Sequence, residues 1–270
     1  MAVDHYENFP VASILMPPRF RRPVALIYRF AREADDFADE GDLPPARRLG
    51  LLDNFNRELD RIEAGQPPQI AWFADLAGII HQHALPIPLF RDLLSAFSQD
   101  VVKQRYSDYA EVLDYCRRSA NPVGRLLLVL YGAATPRNNA WGDAICSSLQ
   151  LINFWQDVAI DYKKNRIYFP QDEMTLYGIT ESHIAHATTN GAWREFLSFQ
   201  VNRTRRYLHS GAPLGRVLKG RLGLEMRMII AGGDRILGKI ENVEYDVFQR
   251  RPVLRPHDWL LMLAKSAFPR

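Results

Sequence analysis

Four aspartates form two pairs whose members are four residues apart. The first pair is Asp35 and Asp39, in the string ADDFADE at the end of an apolar segment. Residues four apart in a helix differ by some 40° in direction and about 6 Å in height, so each pair lies on one helical face. Two carboxylates so placed repel each other and weaken the helix unless a cation lies between them. For a single pair, a solvated acidic helix end is the alternative interpretation.

The second pair, Asp157 and Asp161, lies in apolar surroundings. Gln150 and Asn153 precede it by one or two helical turns on nearly the same face. An acidic stripe in an apolar helix is costly to bury unless it binds something. Oxygen ligands suit Mg²⁺, which keeps several waters and joins one or two carboxylates to substrate phosphates. Two such stripes facing each other are predicted to hold a diphosphate through Mg²⁺.

The elements that carry these residues are predicted to be helices. Apolar residues recur at three- and four-residue intervals over nearly the whole chain, and Pro, Gly and Asn residues separate the segments. The predicted helices are Pro23–Asp39, Pro44–Ile62, Pro86–Val101, Tyr109–Gly132, Trp141–Asp161, Trp193–His209, Leu214–Val243 and Pro256–Ala267. Residues 162–180 are predicted to be an irregular, functional loop. No repeat or low-complexity linker divides the chain, which predicts one all-α domain over residues 1–270.

The composition is that of an ordinary globular protein, with 47% hydrophobic and 24% charged residues. Cys116 and Cys146 are too few for a disulfide scaffold and favour a reducing compartment. The sequence shows neither a signal peptide nor the run of roughly 20 apolar residues that a spanning helix needs. We therefore expect a cytoplasmic protein.

Positive charge is concentrated in the last part of the chain. The net charge is +3, but residues 201–270 hold 14 basic and 6 acidic residues. Such a segment predicts an anionic partner, which could be nucleic acid, a lipid surface or a phosphorylated small molecule. The aromatic residues typical of single-strand binders do not accompany Arg203, Arg205 and Arg206, so no nucleic-acid partner is expected. Peripheral contact with the inner face of the cell membrane is a further expectation.

Four motifs, in order, resemble those of the head-to-head prenyl synthase family, which includes squalene, phytoene and dehydrosqualene synthases. The resemblance covers nearly the whole chain. The matching strings are Tyr28-x-x-x-Arg32-x-x-Asp35-x-x-x-Asp39, Tyr115-Cys116 to Val123-Gly124, Gln150-x-x-Asn153-x-x-x-Asp157-x-x-x-Asp161 with Arg166-Ile-Tyr168, and Tyr245 to Arg251. The resemblance implies an all-α isoprenoid synthase-type helical bundle with a central cavity and with the aspartate pairs on facing helices.

The resemblance also implies roles for residues of these motifs. The implied Mg²⁺ ligands are Asp35, Asp39, Asn153, Asp157 and Asp161. The residues implied to hold the substrate diphosphate are Tyr28, Arg32, Gln150, Asn153, Arg166, Tyr168 and Arg250. Planar guanidinium groups pair with phosphate oxygens and neutralise the leaving group as its C–O bond breaks. The candidates for an aromatic wall that shields the resulting carbocation are Phe30, Phe154 and Trp155.

The strings Phe154-Trp155-Gln156 and Arg117 to Pro122 resemble the bacterial hopanoid-pathway branch of the family. That resemblance implies an enzyme that ionises presqualene diphosphate with Mg²⁺ and lets water capture the cation, giving hydroxysqualene and diphosphate. Asn121 is predicted to be catalytic by holding that water, since an amide both donates and accepts hydrogen bonds. No G-x-G-x-x-G loop occurs, so NADPH is not expected.

Two alternatives stay open. One is an enzyme of the same family that joins two prenyl diphosphates into presqualene diphosphate, dehydrosqualene or phytoene. The other is a non-catalytic scaffold relative, which has no need of buried, repelling carboxylates or of Arg32. The candidate partners are the prenyl or presqualene diphosphate substrate, a membrane surface and sister synthases of the pathway.

Overall fold

The computed structural model describes residues 16–39 and 41–267. Within these ranges the chain forms fourteen helices and two short strands. The helices are α1 (Pro18–Asp39), α2 (Pro45–Glu63), α3 (Phe73–His83), α4 (Ile87–Val102), α5 (Tyr109–Ser119), α6 (Asn121–Leu130), α7 (Pro136–Gln156), α8 (Val158–Lys163), α9 (Gln171–Leu176), α10 (Glu181–Ala185), α11 (Gly191–Ser210), α12 (Leu214–Val217), α13 (Gly220–Asn242) and α14 (Pro256–Ala267). The strands are β1 (Arg105–Tyr106) and β2 (Ile167–Pro170). The predicted all-α class is confirmed.

Three predicted helices are each divided in the structure. Pro122 lacks an amide hydrogen and stands in the first turn of α6, so the segment Tyr109–Gly132 separates into α5 and α6. Asp157, with φ −105° and ψ 15°, separates α7 from α8. Leu218 and Lys219 are extended, which separates α12 from α13. The apolar periodicity runs through all three divisions and therefore did not reveal them.

Two other segments differ from the sequence-based predictions. The apolar pattern did not predict α3, which buries Phe73, Leu76, Ile79 and Ile80 on one face. Residues 162–180, predicted to be an irregular loop, contain the end of α8, strand β2 and helix α9. The loop prediction is thus wrong for most of that stretch.

The two strands hold the segment after α8 against the end of α4. They pair in parallel, with Arg105 opposite Ile167, and all four residues of β2 are buried. The amide of Ile167 donates to the carbonyl of Gln104 at 3.0 Å. This short pairing positions Arg166 and Tyr168, which flank Ile167 in the chain.

Two clusters of buried apolar side chains fill the bundle. One is built on α1 to α4 with residues of α6 and includes Phe30, and the other is built on α5, α7, α11, α13 and β2 and includes Trp155. The first aspartate pair lies at the end of α1 and the second at Asp157 and in α8, so the helices that carry the two pairs pack in different clusters. Among the described residues, no helix combines the length and the apolar character that crossing a membrane requires.

Candidate functional site

The two aspartate motifs meet through Asp39. Arg166 Nη1 lies 2.5 Å from Asp39 Oδ1, and Lys164 Nζ lies 3.1 Å from Asp39 Oδ2. Arg166 is buried and also donates from Nη2 to the carbonyl of Asp100 at 3.1 Å. Because Lys164 and Arg166 directly follow α8, these ion pairs join the end of α1 to the end of the second motif. The structure therefore brings Asp39 of the first motif and Arg166 of the second motif together.

Asp35 lies in surroundings that oppose its negative charge. Loss of solvation raises the pKa of its carboxyl group to about 7, and the charge of Asp39 adds to the rise while Arg32 opposes it. Arg32 reaches two carboxylates, at 3.2 Å from Asp35 Oδ2 and 2.7 Å from Asp36 Oδ1. The Asp35 side chain nevertheless keeps 35% of its surface exposed. The side chain is thus partly accessible, although the surrounding protein removes much of the solvation of its carboxyl group.

In the second pair, Asp161 likewise has a raised pKa. Burial, followed by the charges of Asp157 and Asp39, raises the pKa of Asp161 to about 8. Asp157 is held by Arg251, whose Nε and Nη2 lie 2.5 Å and 3.1 Å from its two oxygens. A bidentate pair of this kind fixes the geometry as well as the charge. Lys164 and Arg166, which follow Asp161 in the chain, both pair with Asp39, so the ends of the two motifs lie beside one another.

Arg251, and not Arg250, is the arginine that the C-terminal motif brings to the aspartates. Arg250 Nε lies 3.2 Å from Asp246 Oδ2, its Nη2 donates to the carbonyl of Val243, and its side chain is 59% exposed. Arg250 thus does not contact the aspartates here, and its diphosphate role stays a prediction. The two adjacent arginines project in different directions, and sequence reasoning did not single out Arg251.

Asp100 is a buried acid at the site that sequence reasoning missed. Its side chain is 4% exposed, and Tyr115 donates its hydroxyl hydrogen to Oδ2 at 2.5 Å. Burial raises the pKa of Asp100 to about 7, which Arg166 opposes and Asp39 and Asp35 reinforce. A signal was available, because Asp100 follows Phe97 by three residues on the apolar face of its helix.

Aromatic rings line the cleft beside Asp161 and Arg166. Phe154 contributes to that cleft and stacks on Tyr168, with ring centroids 3.7 Å apart and planes 5° from parallel. Phe30 and Trp155, by contrast, are fully buried in the two apolar cores, where Trp155 donates to Thr204. Of the three wall candidates, Phe154 alone lies in this cleft.

The remaining predicted site residues differ in their solvent exposure. Asn121 is buried at the start of α6, and its Oδ1 accepts a hydrogen bond from Ser147 at 2.8 Å. Asn153 is exposed, while Gln150 and Tyr28 are half-buried. Their roles toward metal and substrate stay predictions.

The carboxylates fit a magnesium site that substrate completes. Within residues 16–39 and 41–267, no three acidic, histidine or cysteine side chains are grouped so as to hold a metal ion by themselves. Mg²⁺ at phosphate-transfer sites usually takes one or two carboxylates and obtains its other ligands from water and phosphate. Burial and the charges of neighbouring carboxylates raise the pKa values of Asp35 and Asp161, so an added cation would favour their charged forms. This set of carboxylate donors therefore suits a hard divalent cation.

Comparison with known proteins gives consistent results. Residues 2–258 match the family Squalene/phytoene synthase. The hydroxysqualene synthase of Rhodopseudomonas palustris is 38% identical over 94% of this chain and 86% of its own length, and that of Sinorhizobium fredii is 34% identical over 96% and 87%. The crystal structure of squalene synthase HpnC from Alicyclobacillus acidocaldarius superposes with a TM-score of 0.81 at 32% identity, covering 89% of this chain and 90% of that one.

These matches extend over nearly the whole chain and confirm the predicted isoprenoid synthase-type fold. They also exclude the alternative of a non-catalytic scaffold, since the relatives are enzymes. The chain is an enzyme of the squalene/phytoene synthase family.

Proposed function

We propose that the protein converts presqualene diphosphate and water into hydroxysqualene and diphosphate. The observation that carries the proposal is the junction of Asp39 with Arg166 and Lys164, which gathers carboxylates and cations of both motifs at one place. The names of the relatives that are 34–38% identical favour this member of the family's reactions. The overall change is replacement of a diphosphate group by a hydroxyl group, with release of one proton.

The basic residues of the site are proposed to bind the departing diphosphate. Arg166, Lys164 and Arg251 now pair with carboxylates, and each could pair with phosphate oxygens instead. Arginine suits this role because its planar group donates two parallel hydrogen bonds. Charge that develops on the leaving group is then met by donors already in place, which lowers the barrier to ionisation.

Mg²⁺ is the proposed cofactor, and its proposed ligands are Asp35, Asp39, Asn153, Asp157 and Asp161. When bound, the ion would neutralise diphosphate charge and thereby favour breaking of the C–O bond. Without such an ion the raised pKa values of Asp35 and Asp161 favour their protonated forms. Metal binding should therefore weaken as the pH falls below about 7, because protons compete for the same oxygens.

Asn121 is proposed to orient the attacking water. Ser147 donates to its Oδ1, which leaves the amide hydrogens to be shared with other acceptors. The position at the start of α6 is rigid, since Pro122 follows directly. Water held there would be the nucleophile toward the cation, and no NADPH would be needed.

A second candidate function is formation of a head-to-head prenyl product from two prenyl diphosphates. It is favoured by the superposition on a squalene synthase at 32% identity. Peripheral association with the inner face of the cell membrane, and contact with sister synthases of the same pathway, are proposed for either function, because substrate and product are both largely apolar.

Product analysis distinguishes these functions. Purified protein is incubated with Mg²⁺ and either presqualene diphosphate or farnesyl diphosphate, with and without NADPH. We expect an alcohol from presqualene diphosphate alone, unchanged by NADPH. Accumulation of a cyclopropyl diphosphate from farnesyl diphosphate would support the second candidate, and squalene formed only with NADPH would contradict the proposal.

A further inference from the structure

Helix α14 turns two polar side chains, Asp258 and Ser266, inward and three leucines outward. Its inner face consists of Asp258, Met262 and Ser266, which are at most 4% exposed. On the outer face, Leu260 is 72%, Leu261 is 51% and Leu263 is 43% exposed. A surface helix of a globular protein normally has the opposite arrangement, with apolar residues toward the core. We call these three leucines the outer leucine face.

Polar contacts with α13 hold α14 in this orientation at both ends. Near its start, Asp258 accepts from Arg235 Nε at 2.7 Å and pairs with Lys239 Nζ at 2.6 Å. Near its end, the carbonyl of Ser266 accepts from Arg227 Nε at 2.9 Å. Rotating the helix to bury its leucines would expose Met262 and break these contacts. The outward leucines are therefore part of the folded arrangement.

Much of the positive charge in residues 201–270 is neutralised within the protein. Ion pairs with carboxylates involve Arg203, Arg205, Arg235, Lys239, Arg250 and Arg251. Four other cations are exposed and have no salt-bridge partner in the described part of the chain, namely Arg206, Lys219, Arg221 and Arg255. The positive charge that an external anionic partner could contact is thus concentrated at these exposed residues.

Three of these cations, Lys219, Arg221 and Arg255, flank the ends of α14. Arg255 directly precedes the helix. Lys219 and Arg221 lie at the start of α13, and that end of α13 adjoins the end of α14 because Arg227 joins Ser266 to the carbonyl of Gly215. An apolar strip with cations at both ends matches an anionic membrane surface, where leucines enter the acyl boundary and cations meet phosphate groups.

We propose that the outer leucine face of α14 docks on an anionic lipid bilayer, with Arg255 at one end and Lys219 and Arg221 at the other binding lipid headgroups. This deepens the membrane association proposed above by naming the surface. A second copy of the chain is a poorer occupant, because a twofold pairing through the same patch would bring these cations toward their own copies. Binding needs no turnover, so it is testable independently of the reaction.

The test uses co-sedimentation of the full-length protein with phosphatidylcholine vesicles, with and without about 30% phosphatidylglycerol. We expect binding to the anionic vesicles at low salt and a clear loss of binding at high salt. The double variant L260S/L261S should bind at least about tenfold more weakly, because it removes apolar surface that enters the bilayer. The variant K219Q/R221Q/R255Q should bind more weakly at low salt and should lose most of its salt dependence.

A matched control is L176S. Leu176 is 78% exposed on the short helix α9, so it resembles Leu260 in accessibility but lies outside the patch. Its replacement should leave vesicle binding unchanged. Circular dichroism melting checks that each variant is folded.

Three results would overturn the proposal. They are no binding of the parent protein to anionic vesicles at low salt, equal binding by L260S/L261S, and equal losses from L176S and L260S/L261S. Light scattering of the parent and of L260S/L261S without lipid adds a further test. A dimer that becomes monomeric only in the variant would identify the patch as an interface between copies. Product formation from detergent-dispersed substrate is measured separately, so loss of docking and loss of the proposed reaction are distinguishable.

Discussion

Replacing Asp100 by asparagine tests how this buried acid contributes to stability. Its pKa rises from 3.8 in the unfolded chain to about 7 in the folded protein, with burial as the largest cause. The folded state therefore binds more protons than the unfolded state between these values, and stability falls as the pH rises through this window. At a pH well above 7, the charged Asp100 lowers the free energy of unfolding by roughly 4 kcal/mol. About 2 to 3 kcal/mol of this loss develops between pH 5 and pH 8.

Asp100→Asn removes this titration and keeps an oxygen that can accept from Tyr115. The free energy of unfolding of the variant, relative to the parent, should therefore rise by roughly 2 to 3 kcal/mol from about pH 5 to pH 8. Urea denaturation at several pH values measures this difference. The control is Asp114→Asn, because Asp114 is 48% exposed and Arg117 and Arg118 lower its pKa. A constant difference between Asp100→Asn and the parent over this range would refute the reasoning.

Three further tests, which use five substitutions, address other parts of the account. Arg251→Gln should reduce kcat/KM by about a hundredfold if its guanidinium serves the leaving diphosphate, whereas Arg250→Gln should change it less than about threefold, and steady-state kinetics of this pair decides between them. Asp35→Asn should abolish turnover without lowering the melting temperature, since it removes a repelling carboxylate, and restoration of activity at high Mg²⁺ would argue for a weakened rather than an absent metal site. Gly223→Ala should destabilise the fold by about 2 kcal/mol or more, because the added Cβ would lie 2.0 Å from the carbonyl oxygen of Leu218. Gly238→Ala, in open space on the same helix, should instead stabilise by about 0.5 to 1 kcal/mol in the same thermal melts.

Local spacing predicted those features of the site that depend on one helix. The four-residue separation of Asp35 from Asp39 placed both on one face, and α1 ends at Asp39 as predicted. The meeting of Asp39 with Arg166 could not be predicted from spacing, because 127 positions separate the two residues in the sequence. Periodicity carries no information about contacts between distant segments.

The features that the sequence did not reveal have equally specific physical causes. Arg250 and Arg251 are identical in type, and the turn after α13 alone decides which of them reaches Asp157. Asp100 continues an apolar face, so a pattern search for hydrophobic residues passes over it. Helix α14 has the periodicity of an ordinary amphipathic helix, so the sequence predicts the helix but not which face points inward. The contacts of Asp258 with Arg235 and Lys239 show the inward face.

The measurement that tests the central claim most directly is incorporation of ¹⁸O from labelled water during turnover of presqualene diphosphate. The account predicts an alcohol that carries one ¹⁸O atom per molecule, formed with Mg²⁺ and without NADPH, and it predicts that Asn121→Leu diverts the product toward an unhydroxylated diene. An alcohol without the label, or a hydrocarbon formed only when NADPH is supplied, would contradict it.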